Sequence, residues 1–214
     1  MLTVSRQSNI PPVEAGPYEA VCYSVVDIGT HSSQWGKKTI RNRQVVLTWE
    51  IPSQRIDVED KQNPGQTKNL PRAASRSYTS SLDPKSNLRK HLVSWRTQDF
   101  TPEEEKGFDL RDLLGVPCLL NIIHKKKQDG TIKAVVDNVM HLRTKKKFTT
   151  ENPLVYYDIE ENGTEIPSNI PKWIVEQIMS SEEWVVLMDA GDAPQEGGDD
   201  NMEPQVLKDE DIPF

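Results

Sequence analysis

The chain opens on a polar stretch, residues 1–16, that passes through Pro11-Pro12 and offers little to bury, so it reads as a flexible arm. From Tyr18 to Ile28 β-branched and aromatic residues dominate (Val21, Cys22, Tyr23, Val25, Val26), which predicts a first strand closed by Gly29. A polar loop over Thr30 to Lys38 and a second strand over Thr39 to Ile51 follow. Period-two alternation puts Thr39, Arg41, Arg43, Val45, Leu47 and Trp49 on one face and Ile40, Asn42, Gln44, Val46, Thr48 and Glu50 on the other. Neither face is wholly apolar, which predicts a bulge or a change of partner part-way along. Pro52 to Ala74, with Pro64-Gly65, Pro71 and charges of both signs, reads as a long mobile loop. Ser75 to Leu82, with Tyr78, is the third strand.

Helical spacing takes over after Asp83-Pro84, an N-cap carboxylate followed by a first-turn proline. Leu88, Leu92 and Trp95 form a core-facing stripe that ends near Arg96. Thr101 and Glu104 make a capping box for a second short helix, and Phe108 to Leu114 a further turn stopped by Gly115. Pro117 to Lys125 is an almost continuous apolar strand and Ile132 to Leu142 its antiparallel partner, joined by an Asp129-Gly130 hairpin turn. Beyond residue 150, Leu154 to Ile159 suits an edge strand. Ile170 to Leu187, with Trp173, Ile174, Ile178, Trp184, Val185 and Met188, suits a helix capped by Ser168 or Asn169. Past Asp189 the composition predicts disorder.

The order strand, strand, strand, helix, strand, strand makes the fold mainly β and points to a five-stranded OB-fold barrel, with a helix between strands 3 and 4. The division is an arm (1–16), an OB-fold nucleic-acid-binding domain (17–150), an acidic strand and helix appendage (151–188) and a disordered acidic tail (189–214).

Charge sharpens this picture. The formal net charge of −7 hides a split: residues 1–150 carry 24 Lys and Arg against 16 Asp and Glu, a net of +8, whereas 151–214 carry 2 against 17, a net of −15. A basic body with an acidic end suggests a body that binds a polyanion and a tail that competes with it or recruits partners. The candidate binding residues follow the aromatic and cationic positions of the strands and hairpins. They are Trp35 with Lys37 and Lys38; Arg41 and Arg43; Trp49; Arg76 and Tyr78; the hairpin triplet Lys125, Lys126 and Lys127; and a second triplet, Lys145, Lys146 and Lys147, beside Phe148. Cations would follow phosphates while rings stack on bases.

Cys22 and Cys118 stand alone in apolar runs and read as buried thiols. The four histidines have no ligand spacing, and no P-loop, glycine fingerprint or nucleophile elbow occurs. Acids such as Asp109 and Asp112 form no paired motif for a metal-dependent nuclease. No enzyme, cofactor or metal is expected, and with no signal peptide or spanning segment no membrane partner is either; the expected location is the cytoplasm, that of the host cell if the chain is phage-encoded.

The last residues, Asp209, Glu210, Asp211, Ile212, Pro213 and Phe214, join three acids to an apolar plug with a free carboxylate. They closely resemble the C-terminal tip of bacterial single-stranded DNA-binding proteins. Tyr18 to Thr30, Val46 to Ile51, Lys85 to Lys90, Trp95-Arg96 and Gly107 to Leu110 resemble a family of bacteriophage-encoded single-stranded DNA-binding proteins, over roughly residues 15 to 145. The likeness implies an OB-fold, binding of single-stranded DNA without strong sequence preference, and a place in phage DNA replication or recombination. The tip would dock replication or recombination proteins. A tail of about 26 residues has an r.m.s. span on the order of 25–30 Å, enough to reach the basic body. The competing expectation is an interaction protein, a decoy whose acidic tail occupies host pockets without DNA binding.

Overall fold

The computed structural model describes residues 11–60, 63, 65–127, 129–144 and 148–191. Strand β1 (Gly16–Trp35) turns through Gly36, at φ 60°, into β2 (Lys38–Glu59). β3 (Thr67–Thr79) lies along the other edge of β2. β4 (Pro117–Lys126) pairs with β1 over Gly16 to Val21, and β5 (Ile132–Met140) pairs with β4. The five strands are antiparallel in the order β3-β2-β1-β4-β5 and curl into a half-barrel. Register shifts between Cys22 and Ser24, Asp27 and Gly29, and Ile51 and Arg55 supply bulges, which bend strands and increase their twist. A short strand, β6 (Val155–Tyr157), pairs parallel with β1 at Ser24 to Val26, just past the point where β4 leaves that edge.

Two expected loops are strand instead. Thr30 to Lys38 continues the β1–β2 hairpin, and residues 52–74 continue β2 to Glu59 and open β3 at Thr67. The prolines there act as position markers. Pro52 falls in the register shift between Ile51 and Arg55, and Pro71 sits on the edge strand, where a missing N–H costs no ladder bond.

The inner face carries the main core. Alternation along β2 delivers Val45, Leu47, Trp49 and Ile51 to it, where they meet Ala20, Cys22 and Val25 of β1 and Leu120 and Ile122 of β4. Helix α1 (Asn87–Arg96) adds Leu88, Leu92 and Trp95. The Trp49 and Trp95 rings lie 6.1 Å apart, and Trp95 Nε1 donates to the Pro117 carbonyl at 2.8 Å. The helix begins three residues later than an Asp83 cap would place it. Ser86 caps it, accepting from Arg89 N, while the Asp83 carboxylate closes a turn by accepting from Lys85 N. The Thr101–Glu104 capping box forms in both directions, at 2.8 and 3.3 Å. Burial pushes the Cys22 thiol up to about 12.

A second core lies on the opposite face of β1 and β2. Val26, Ile28 and Val46 pack there against Tyr157 of β6, Ile159 of α2 (Ile159–Asn162), and Ile174 and Ile178 of α3 (Lys172–Met179). Each such side chain is worth about 1.5–3 kcal/mol when fully buried, so the appended segment is integral to the fold. The single helix expected over 170–187 breaks at Ser180-Ser181 into α3 and α4 (Glu182–Gly191). α3 follows Pro171 with no side-chain cap, so neither Ser168 nor Asn169 has the expected role. Glu50, 1% exposed, ties the segment's entry to the barrel by accepting from the backbone N–H groups of Glu151 and Asn152 and from Asn152 Nδ2. The end of the arm is also held: Val13 is buried and its carbonyl accepts from His124 Nε2. No helix among the described residues is long and apolar enough to cross a membrane.

Candidate nucleic-acid interface

The register separates the two basic hairpin tips. β1 starts at Gly16, opposite Ile122, and ends at Trp35, opposite Lys38, so the β4–β5 tip and the β1–β2 tip stand at opposite ends of β1. At the β1–β2 tip Lys37 and Lys38 are exposed and form no ion pair with the described residues. The Trp35 side chain lies outside the described residues, as do Lys145, Lys146, Lys147 and the tip Asp209 to Phe214.

The arginines of the same hairpin are already engaged. Arg41 forms a two-pronged ion pair with Glu182 at the start of α4, and that carboxylate also accepts from Ser32 Oγ. Next to it, Glu183 accepts from Thr30 N and Thr30 Oγ1, each at 2.6 Å. Arg43 is held by Asp27 at 2.7 Å, Asp158 at 3.4 Å and Glu160, and its hydrogen bond to Asp27 is the largest cause raising its pKa. The adjoining cleft, about 360 Å³, is lined by Asp27, Asp109, Asp158, Glu160 and Glu161 against Arg43 and Arg111. Excess carboxylate there repels phosphate, so Arg43 is corrected from a phosphate ligand to a tie between the sheet and the appended segment; Arg41, whose side chain is still 67% exposed, makes a second such tie through Glu182.

Trp49, Tyr78 and Arg76 are corrected too. Trp49 is 0% exposed and Tyr78 3%, so neither has a free ring face. Tyr78 Oη pairs with His91 Nδ1 at 2.8 Å, and burial raises the tyrosine pKa and lowers that of His91 to about 4. Arg76 covers the Tyr78 ring at 5.2 Å and donates across the seam to the carbonyls of Val136 and, at 3.0 Å, Asp137 on β5. It laces β3 to β5. The β2 face that alternation gave to Val45, Leu47 and Trp49 is the core face. Phe148 is half-buried and lines a separate cleft with Tyr18 and Pro52.

The β4–β5 hairpin is different. Lys125, Lys126 and Lys127 are exposed and make no ion pair with the described residues. The tip is built as the sequence indicated: Lys127 N donates to the Thr131 carbonyl at 2.8 Å, Gly130 has φ 85°, and the Asp129 carboxylate accepts from Thr131 N and Oγ1. Lys127 looks into a cleft of about 500 Å³ along the β3–β5 seam, whose lining includes Arg72, Lys133, Ile132 and Trp173. No aspartate or glutamate lines it among the described residues. Arg72, Lys133 and Trp173 were not singled out by the alternation pattern, because they come from an assumed loop, a strand end and a helix read as core-facing. Compared with known proteins, the chain matches no family model, and no curated protein sequence matches it.

Proposed function

We propose that this chain binds single-stranded DNA without strong sequence preference, on an OB-like barrel, in phage DNA replication or recombination, and that its acidic tip Asp209 to Phe214 recruits partner proteins. The observation that carries the reading is the separation of charge in space. Lys127, Lys133 and Arg72 line a seam cleft free of described carboxylates, with Lys125 and Lys126 exposed on the same hairpin, while Glu182, Asp27, Asp158 and Glu160 occupy the opposite hairpin's arginines. The strand order and the bridging of β3 to β5 by Arg76 support the barrel architecture. Lysines that face solvent unpaired bind phosphate by releasing counterions, which is indifferent to sequence.

The test is a titration of the full chain with a single-stranded oligonucleotide and a duplex of the same sequence, repeated on a chain lacking Asp209 to Phe214. The truncated chain binds single strands more tightly at low salt and fails to capture partner proteins. Absence of any single-strand complex at moderate salt would instead favour an interaction protein acting through its tail.

A further inference from the structure

We infer that the β3–β5 seam cleft is a base-stacking subsite for single-stranded DNA with Trp173 as its ring, an inference that rests on the single-strand reading above. Trp173 is 42% exposed although its neighbours on α3, Ile174 and Ile178, are 0% exposed. Helical geometry explains the split: Ile174 and Ile178, four apart, share the face that packs on β1 and β2, and Trp173 stands about 100° round the helix from Ile174. Its ring faces the seam cleft. Among the described rings, Trp49, Trp95, Tyr78 and Tyr157 are buried, and Arg111 lies over Tyr156 at 4.5 Å.

The cleft's chemistry selects the ligand. Ala73 and Ala74 on β3 line it with small side chains, in a cleft of about 500 Å³. Arg72, Lys127 and Lys133 supply cations at its margin, and the lack of described carboxylates suits a polyanion. A base that stacks on Trp173 places its backbone phosphates toward these cations. Stacking tolerates any base, since each has a π-face, and a duplex hides those faces.

The experiment measures binding of the full chain to oligothymidylate and to an abasic strand of equal length. Trp173→Ala weakens oligothymidylate binding about 5- to 150-fold, the effect of one lost stack, whereas Trp173→Phe loses much less. Abasic-strand affinity is the same for all three proteins. A wild-type chain that binds oligothymidylate no better than Trp173→Ala does would overturn the subsite while leaving single-strand binding in place. A wild-type chain that binds neither strand would refute the single-strand reading itself. Photo-crosslinking of the wild-type chain to a bromouracil oligonucleotide needs no variant: adducts at Trp173 support the subsite, and adducts confined to other residues overturn it.

Discussion

Gly29→Ala should detach the appended segment from the barrel. Gly29 has φ 73°, in the left-handed region where an L side chain costs about 1–2 kcal/mol. Space adds to this, because a Cβ at Gly29 would stand 2.5 Å from Ser181 Cβ, 2.7 Å from Ser181 Oγ and 2.6 Å from Glu183 Oε2. Ser181 is a poor residue to displace. It is fully buried, and its hydroxyl donates to the Ile178 carbonyl and accepts from Trp184 N, which fixes the corner between α3 and α4. Overpacking of this kind costs a further ~1–3 kcal/mol, so the expected loss is about 2–5 kcal/mol out of the 5–15 kcal/mol that typically stabilise a domain. Urea unfolding followed by circular dichroism measures it. Pairing the change with Ser181→Gly removes the colliding Cβ, and the double-mutant cycle should show a coupling of about 1–3 kcal/mol. A Gly29→Ala chain within about 0.5 kcal/mol of wild type, or an additive cycle, would refute the seating of this corner on β1.

Stability should rise with pH between about 4 and 6.5. His91 is held down to about 4, mainly by burial and then by the Arg76 charge, so over that window the unfolded chain binds more protons than the folded one. At about 1.4 kcal/mol per pKa unit the gain is at most ~3.5 kcal/mol, less in proportion as solvent reaches the ring. Urea midpoints across the window check it, and His91→Gln should flatten the rise. Arg43→Ala should cost about 1–2 kcal/mol of stability by leaving the nearly buried Asp27 carboxylate short of a partner. Arg41→Ala should leave the unfolding midpoint within about 0.5 kcal/mol, its pair with Glu182 being exposed. Neither should weaken oligonucleotide binding at moderate salt, and a large loss in either would return these arginines to the interface.

Much of the fold was legible because alternation and turn chemistry act locally. The β2 face bearing Val45, Leu47 and Trp49, the Asp129-Gly130 turn and the Thr101–Glu104 capping box needed only neighbours in the chain. What distant pairing decides was not legible. Pro52 and Pro71 looked like loop residues until a register shift and a sheet edge excused their missing N–H groups. The second core was hidden because Val26, Ile28 and Val46 depend on Ile174 and Ile178, more than a hundred positions away. The site followed the same rule. Arg41 and Arg43 advertise positive charge in the sequence, and only the fold brings Glu182 and Asp158 to them. Trp173 reads as one more apolar residue of a helical stripe, and only the placement of α3 leaves its ring in the seam.

The most direct test of the account is the salt dependence of single-strand binding in wild type and in the Lys125→Ala, Lys126→Ala, Lys127→Ala triple variant. For single strands, log K falls with log salt by about 0.7 per phosphate contact. The wild-type chain should bind with a clear linear fall, and the triple variant should bind more weakly with a slope shallower by up to about 2. An unchanged slope, or no binding to single-stranded DNA at any salt concentration, would contradict the account.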